Sequence, residues 1–157
     1  MNVPDDWGAY WRTCSECGRR YHMSDGGCDC EERREEAEAE ERWHRRQSCR
    51  IYLDVCGTLD SLPDGGLALV GQLLELGYRV SVWSGGRLQR MVELLEELRS
   101  PGSLAIMSKD LQQYRPSPGD VVVDDDEGIR CLAVRLGARV FGPEDLGDLP
   151  GLLREEP

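Results

Sequence analysis

Residues 50–60 read Arg-Ile-Tyr-Leu-Asp-Val-Cys-Gly-Thr-Leu-Asp, and this stretch decides the fold. Ile51-Tyr52-Leu53 is a short run of bulky residues, apolar on both faces, as in a strand covered from both sides. The run ends in Asp54, and Gly57-Thr58 then turns the chain. A carboxylate placed directly after a buried strand lies at the strand's carboxyl end, which is where open α/β sheets bind their ligands.

Working outward, the same layout recurs. Candidate strands are Arg79–Trp83, Leu104–Met107, Val121–Asp124 and Arg139–Phe141. Between them Leu67, Val70, Leu73 and Leu74 keep helical spacing up to Gly77, which is placed to end the helix. Leu88, Met91, Val92, Leu95 and Leu98 repeat the spacing until Pro101-Gly102, and Ile129, Leu132, Ala133 and Leu136 repeat it before Gly137. Apolar strands alternating with amphipathic helices predict an α/β domain over residues 49–157, with a Rossmann-like parallel sheet as the middle of three layers. The other strand ends are also polar. Ser84-Gly85-Gly86-Arg87 offers a hydroxyl, unhindered amides and a helix start, a combination that holds anions. Asp124-Asp125-Asp126 would repel one another unless a cation sits among them or they splay apart. Lys109 lies between the third and fourth strands and is placed to reach the same edge.

Four motifs in this order, IYLDVCGTL, VSVWSGG, the lysine of MSKD and VVVDDD, resemble those of the haloacid dehalogenase-like (HAD) superfamily of phosphohydrolases. The resemblance covers about residues 49–145. From VVVDDD to LGARVF the chain is also loosely similar to the phosphatase half of phage polynucleotide kinase-phosphatases. The resemblance implies that Asp54 is a nucleophile forming an aspartyl-phosphate. It implies that Asp54, the backbone carbonyl of Cys56, and Asp125 bind Mg²⁺, with Asp124 in support. Ser84, Gly85, Thr58 and Arg87 would line the phosphate, and Lys109 would neutralise charge between nucleophile and phosphate. Cys56 departs from the pattern, because the superfamily's phosphatases carry there the Asp that serves as general acid. A thiol is a poorer proton donor to an alkoxide than a tuned carboxylic acid, and such assistance is worth ~10²–10⁴ in rate. The resemblance thus leaves two readings, a Mg²⁺-dependent phosphomonoesterase and a catalytically weakened phosphate-binding or protein-interaction module. Six residues (61–66) and thirteen (108–120) are all that the two loops offer for a lid, so the site resembles the capless branch. Open sites of that branch admit phosphates on large substrates, nucleotides and polynucleotide ends among them.

Residues 1–30 contain few aliphatic side chains and four of the seven cysteines, Cys14-x-x-Cys17 and Cys28-x-Cys30. Two close pairs of thiols match a tetrahedral structural Zn²⁺ site, and a segment this poor in aliphatics gains its fold from the metal. His22 is a spare ligand, and Cys49 and Cys131 are predicted to be small core residues. Arg12, Arg19 and Arg20 beside Trp11 and Tyr21 admit nucleic-acid recognition by this module, and it could also bind a protein partner. Bracing of the fold is the simpler expectation. Residues 31–48, mostly Glu and Arg, read as a solvated linker helix with its acids early and its bases late.

The 157 residues suit one domain plus a small module, and 39% hydrophobic residues suffice for one core. Nineteen basic against thirty acidic side chains give a net charge of −11, which excludes general binding to duplex DNA through its phosphates. No apolar run is long enough to span a membrane, and an odd number of cysteines fits a reduced, cytoplasmic setting.

Overall fold

The computed structural model describes residues 10–86, 92, 95–98, 103–110 and 115–154. The chain forms two compact units, Met1–Arg42 and Trp43–Pro157. In the first, strands β1 (Trp11–Thr13) and β2 (Arg20–His22) pair antiparallel, with Trp11 opposite His22 and Thr13 opposite Arg20. A short 3₁₀ turn, Met23–Asp25, leads towards helix α1 (Cys30–Ser48). No residue of α1 is buried, as its charged sequence requires, and Arg42 reaches Glu38 one turn back at 3.8 Å.

The boundary between units falls inside α1, six residues earlier than the sequence placed the start of the α/β domain. The last turn of α1 accounts for this. Arg46 donates to the carbonyl of Leu76 at 2.9 Å and Gln47 to that of Gly77 at 2.6 Å. Both carbonyls lie at the end of α2 (Leu67–Glu75), where a helix has no intrahelical donors left. Trp43 lies against Gly77, so a Cβ there would collide with the indole; Gly77 also has φ +86°, a conformation that favours glycine.

The second unit is built on a five-stranded, wholly parallel sheet: β3 (Arg50–Asp54), β4 (Arg79–Ser84), β5 (Leu104–Ser108), β6 (Val121–Val123) and β7 (Arg139–Phe141). Their spatial order is β5-β4-β3-β6-β7. The strand alternation that the sequence predicts separates two apolar clusters. Ile51, Leu53, Val80, Val82, Val121 and Val123 pack with Leu69, Val70 and Leu73 of α2 and with Leu146, Leu149 and Leu153 near the C-terminal helix α4 (Leu149–Leu152). Tyr52, Trp83, Met107 and Val122 pack with Ala133 of α3 (Glu127–Arg135). This is a Rossmann-like α/β arrangement. Its order reverses between β3 and β6, and in open α/β sheets ligands bind beyond the strand ends at such a switch point.

Two expectations need correction or fall outside the described residues. Cys49 packs at the margin of the core as expected, but Cys131 is exposed. It sits two residues from the buried Ala133, about 200° round α3 and so on the solvent side. The helix expected over Leu88–Leu98 lies largely outside the described residues, although Leu95 is fully buried in the core. Among the described residues no helix is long and apolar enough to cross a membrane.

Candidate functional site

The switch point brings the predicted acids together. Asp54 ends β3 and Asp124 directly follows β6, the strand beside it. Asp54 is 2% exposed and Asp124 is fully buried, yet Asp125 is exposed. One carboxylate oxygen from each of the three lies within 4.8 Å of the others, a set that can hold a metal ion. The three neighbouring acids of the VVVDDD run divide their tasks. Asp124 Oδ1 accepts the amide of Asp126 at 2.9 Å, and Asp126 turns away to cap α3, accepting Gly128 N at 2.7 Å. Asp125 leans over Gly57, whose φ is +82° and where a Cβ would run into the Asp125 carboxylate. The glycine after Cys56 is therefore required twice, by the turn and by the close approach of the acid.

Lys109 completes the group. Its amide donates to the carbonyl of Ser84 at 2.8 Å, continuing the β4–β5 pairing by one residue and bringing the side chain to the strand ends. Nζ donates to Asp54 Oδ1 and to Asp124 Oδ1, both at 3.0 Å, and lies 2.8 Å from Asp124 Oδ2. That last oxygen is buried without a hydrogen bond of good geometry. Burial holds the carboxyls of Asp54 and Asp124 above the usual carboxylate range, against the pull of Lys109 in the other direction. Burial also works against the charge on Lys109, but hydrogen bonds to Asp124 and Asp54 outweigh it and raise the lysine. Three carboxylates against one ammonium leave the site two positive charges short of neutrality. Hard oxygen donors with that deficit, one of them under-satisfied, fit a divalent cation of the Mg²⁺ or Ca²⁺ type.

The residues expected to hold phosphate are placed less simply. Ser84 is 1% exposed, and its hydroxyl donates to Gly86 O at 2.6 Å and accepts from Gly86 N at 3.3 Å, closing its own turn. Thr58 is completely buried, and its hydroxyl has no hydrogen-bond partner among the described residues. Gly85 is exposed with open space about it. Arg87 lies outside the described residues. The Cys56 side chain is exposed, with Sγ 3.6 Å from Ser84 Oγ. Sequence reasoning passed over Asp60, whose carboxylate accepts the amide of Gly57 at 2.7 Å and so pins the turn between Asp54 and Thr58. An acid three residues beyond the amide it accepts has the spacing of the reach-back half of a capping box, and that is the local signal that would have found it.

In the first unit Cys14, Cys17, Cys28 and Cys30 converge, their sulfurs within 4.8 Å of one another and none in a disulfide. Cys14–Cys30 and Cys17–Cys28 are separated by 3.5 and 3.4 Å. Four sulfurs at ~2.3 Å from a central Zn²⁺ would stand about 3.8 Å apart, so only a small adjustment is needed. Cys14 and Cys17 lie on the β1–β2 turn, while Cys28 and Cys30 lie at the start of α1. Backbone amides of Cys17 and Glu16 pull the Cys14 thiol down to about 7, while burial among the other sulfurs raises Cys28, and hydrogen bonds from Cys14 and Cys28 raise Cys30. The Cys14 thiol is thus ready to ionise, and a cation is needed to ionise the raised thiols of Cys28 and Cys30. His22 is not a fifth candidate among these groups: Nδ1 is engaged by Ser24 at 2.6 Å, and the ring lies between Tyr10 and Trp11. No protein-family model matches this chain, and neither a curated protein nor a solved structure is found to be similar to it.

Proposed function

We propose that the second unit is a capless, HAD-like phosphomonoester hydrolase dependent on Mg²⁺. The observation that carries this reading is Lys109 bridging Asp54 and Asp124 at the switch point, with Asp125 beside them. In this reading Asp54 attacks the phosphorus in line, the bond to the leaving oxygen breaks, and the leaving alkoxide takes a proton. Water then attacks the aspartyl-phosphate and regenerates the carboxylate. Lys109 keeps Asp54 ionised despite its burial and offsets the charge of the incoming phosphoryl group. A bound Mg²⁺, held by Asp54, Asp125 and the carbonyl of Cys56 with Asp124 in support, would supply further charge neutralisation and fix the phosphoryl oxygens. The exposed edge and short loops suit phosphates carried on nucleotides or on polynucleotide ends.

A second reading rests on Cys56. Its thiol takes the position of the general acid, so the same site can serve as a phosphate-binding or protein-interaction module with little turnover. Hydrolysis of p-nitrophenyl phosphate, nucleotides and 5′- or 3′-phosphorylated oligonucleotides, with and without Mg²⁺, separates the two. The expected result is Mg²⁺-dependent release of phosphate that Asp54→Asn abolishes while circular dichroism is unchanged. Activity that survives Asp54→Asn places the chemistry elsewhere; Mg²⁺ and phosphate binding without turnover favours the second reading.

A further inference from the structure

The β1–β2 hairpin turns its rings outward. Strand alternation and the pairing register put Trp11, Thr13, Arg20 and His22 on one face, with Arg12 and Tyr21 on the other. On the first face Tyr10 stacks on the His22 ring at 5.8 Å and 29°, and Trp11 meets the same ring edge-on at 5.3 Å. The Arg20 guanidinium lies 5.8 Å from the Trp11 ring centre. His22 is held in place because Nδ1 accepts the Ser24 amide and meets the Ser24 hydroxyl. If these rings served only to brace the module they would be covered, yet Tyr10 is 57% and Trp11 44% exposed. The charge runs against the chain as well. Residues 10–22 hold three arginines and one glutamate, a local +2 in a protein of −11.

We propose that this face docks single-stranded nucleic acid, with bases stacking on Trp11 and Tyr10 and phosphates meeting Arg20 and its neighbour Arg19. Flat, pre-set rings interleaved with guanidinium groups match the two chemistries of a single strand, π faces and phosphates. Between residues 10 and 27 there is no Val, Leu, Ile or Phe, so the large apolar groups this stretch exposes are rings and Met23, and it is the local positive charge beside the rings that favours a single strand over a protein partner. The helix that follows carries seven glutamates, which restricts favourable contact to a short segment and disfavours a long duplex. This inference stands without the phosphohydrolase reading, because it concerns the other unit.

The test uses the full chain and fluorescein-labelled RNA and DNA of about 12 nucleotides, read by anisotropy, with the corresponding duplexes and heparin as a ring-free polyanion. Single strands are expected to bind more tightly than duplex. With at most three arginines engaged, the log–log salt slope should be no steeper than about −2, an affinity loss of at most about 16-fold between about 50 and 200 mM salt. Trp11→Ala should weaken single-strand binding about tenfold while leaving heparin binding unchanged, and Trp11→Phe should retain most of it. Val134→Ser, at an exposed position of α3 in the other unit, should bind as the wild type does. Thiol reactivity of the four clustered cysteines checks that each variant keeps the hairpin; if Trp11→Ala loses it, Tyr10→Ala and Arg20→Gln carry the comparison, each expected to weaken binding several-fold. Equal or tighter binding to duplex, equal loss of heparin binding in Trp11→Ala, or no single-strand binding at about 50 mM salt overturns the proposal. Capture of a protein by the hairpin, lost in Trp11→Ala and without oligonucleotide binding, overturns it in favour of a protein partner.

Discussion

Lys109 is the sole lysine among nineteen basic residues, and the structure gives a reason for a compact ammonium at that position. Its three donors reach Asp54 and Asp124 at once, with its side chain 15% exposed between two buried acids. Lys109→Met would leave both carboxylates buried with no cation, which should cost ~3 kcal/mol at neutral pH. The pH dependence has a definite sign. Asp54 and Asp124 sit above the carboxylate range, so between the unfolded and the folded value the folded chain binds protons that the unfolded chain has released. Raised carboxyls contribute most stability below the unfolded carboxylate value and lose it as pH rises through the folded one. Without Lys109 the carboxyls rise further, so the variant's deficit in urea midpoint should be smallest near pH 4 and largest at pH 7 and above. Excess Mg²⁺ should recover part of the deficit if the three acids form a cation site; an equal deficit at all pH values would remove the electrostatic explanation. Cys56 supports a second expectation at this scale. Cys56→Asp puts a carboxylic acid at an exposed position of the DVCGT turn, and on the proposed phosphohydrolase reading turnover of nucleoside or sugar phosphates should rise up to ~10²-fold. The gain on p-nitrophenyl phosphate should be much smaller, because that leaving group scarcely needs a proton. A rise of equal size on both substrates would show that the aspartate acts through the metal and not as an acid.

At the scale of elements, the end of α2 shows how a single glycine joins two parts of the chain. Gly77 turns the backbone at φ +86°, offers its carbonyl to Gln47, and lies so close to Trp43 that a Cβ would strike the indole. Gly77→Ala adds strain at positive φ and displaces the indole, so a loss of about 2 kcal/mol is expected from the chemical-denaturation midpoint. Trp43→Ala in the same background should make the alanine less costly, since the collision is then gone and only the backbone strain remains. Additive losses in the double variant would mean that the indole and Gly77 do not interact. The sequence made Gly77 legible as a helix stop but could not disclose Trp43 as its partner, because a contact across thirty-four residues has no local signature. The strands of the sheet were legible for the opposite reason: each is a short apolar run bounded by polar turn residues, with nothing else for a run of that length to be. Asp54, Asp124, Asp125 and Lys109 were found because strand ends announce themselves. The complete burial of Thr58 was not legible, because its neighbours Cys56 and Gly57 are exposed and only packing fixes how deep the next residue lies.

Over the whole molecule, two units with different sources of stability share one helix. The second unit has a continuous apolar core beneath α2 and a separate one beneath α3. In the described part of the first unit, the hairpin, the 3₁₀ turn and α1 contribute no buried hydrophobic residue, so four converging sulfurs replace a core. Without a cation, the raised thiols of Cys28 and Cys30 stay protonated and the cluster offers little more than weak sulfur contacts. Binding of Zn²⁺ is therefore expected to be stoichiometric in purified protein and to provide most of the folding free energy of the segment before α1. Chelation should release one Zn²⁺ per chain, make the four thiols reactive, and collapse amide dispersion for residues 10–30. Amides of β3, β4 and β6 should keep their positions and their hydrogen-exchange protection, because none of the side chains in that core depends on the cysteines. Of two unfolding transitions in the zinc-bound protein, the one belonging to the first unit should disappear when zinc is removed, leaving only that of the sheet. Elemental analysis without zinc, or loss of protection in β3 on chelation, would break this division of stability between the units.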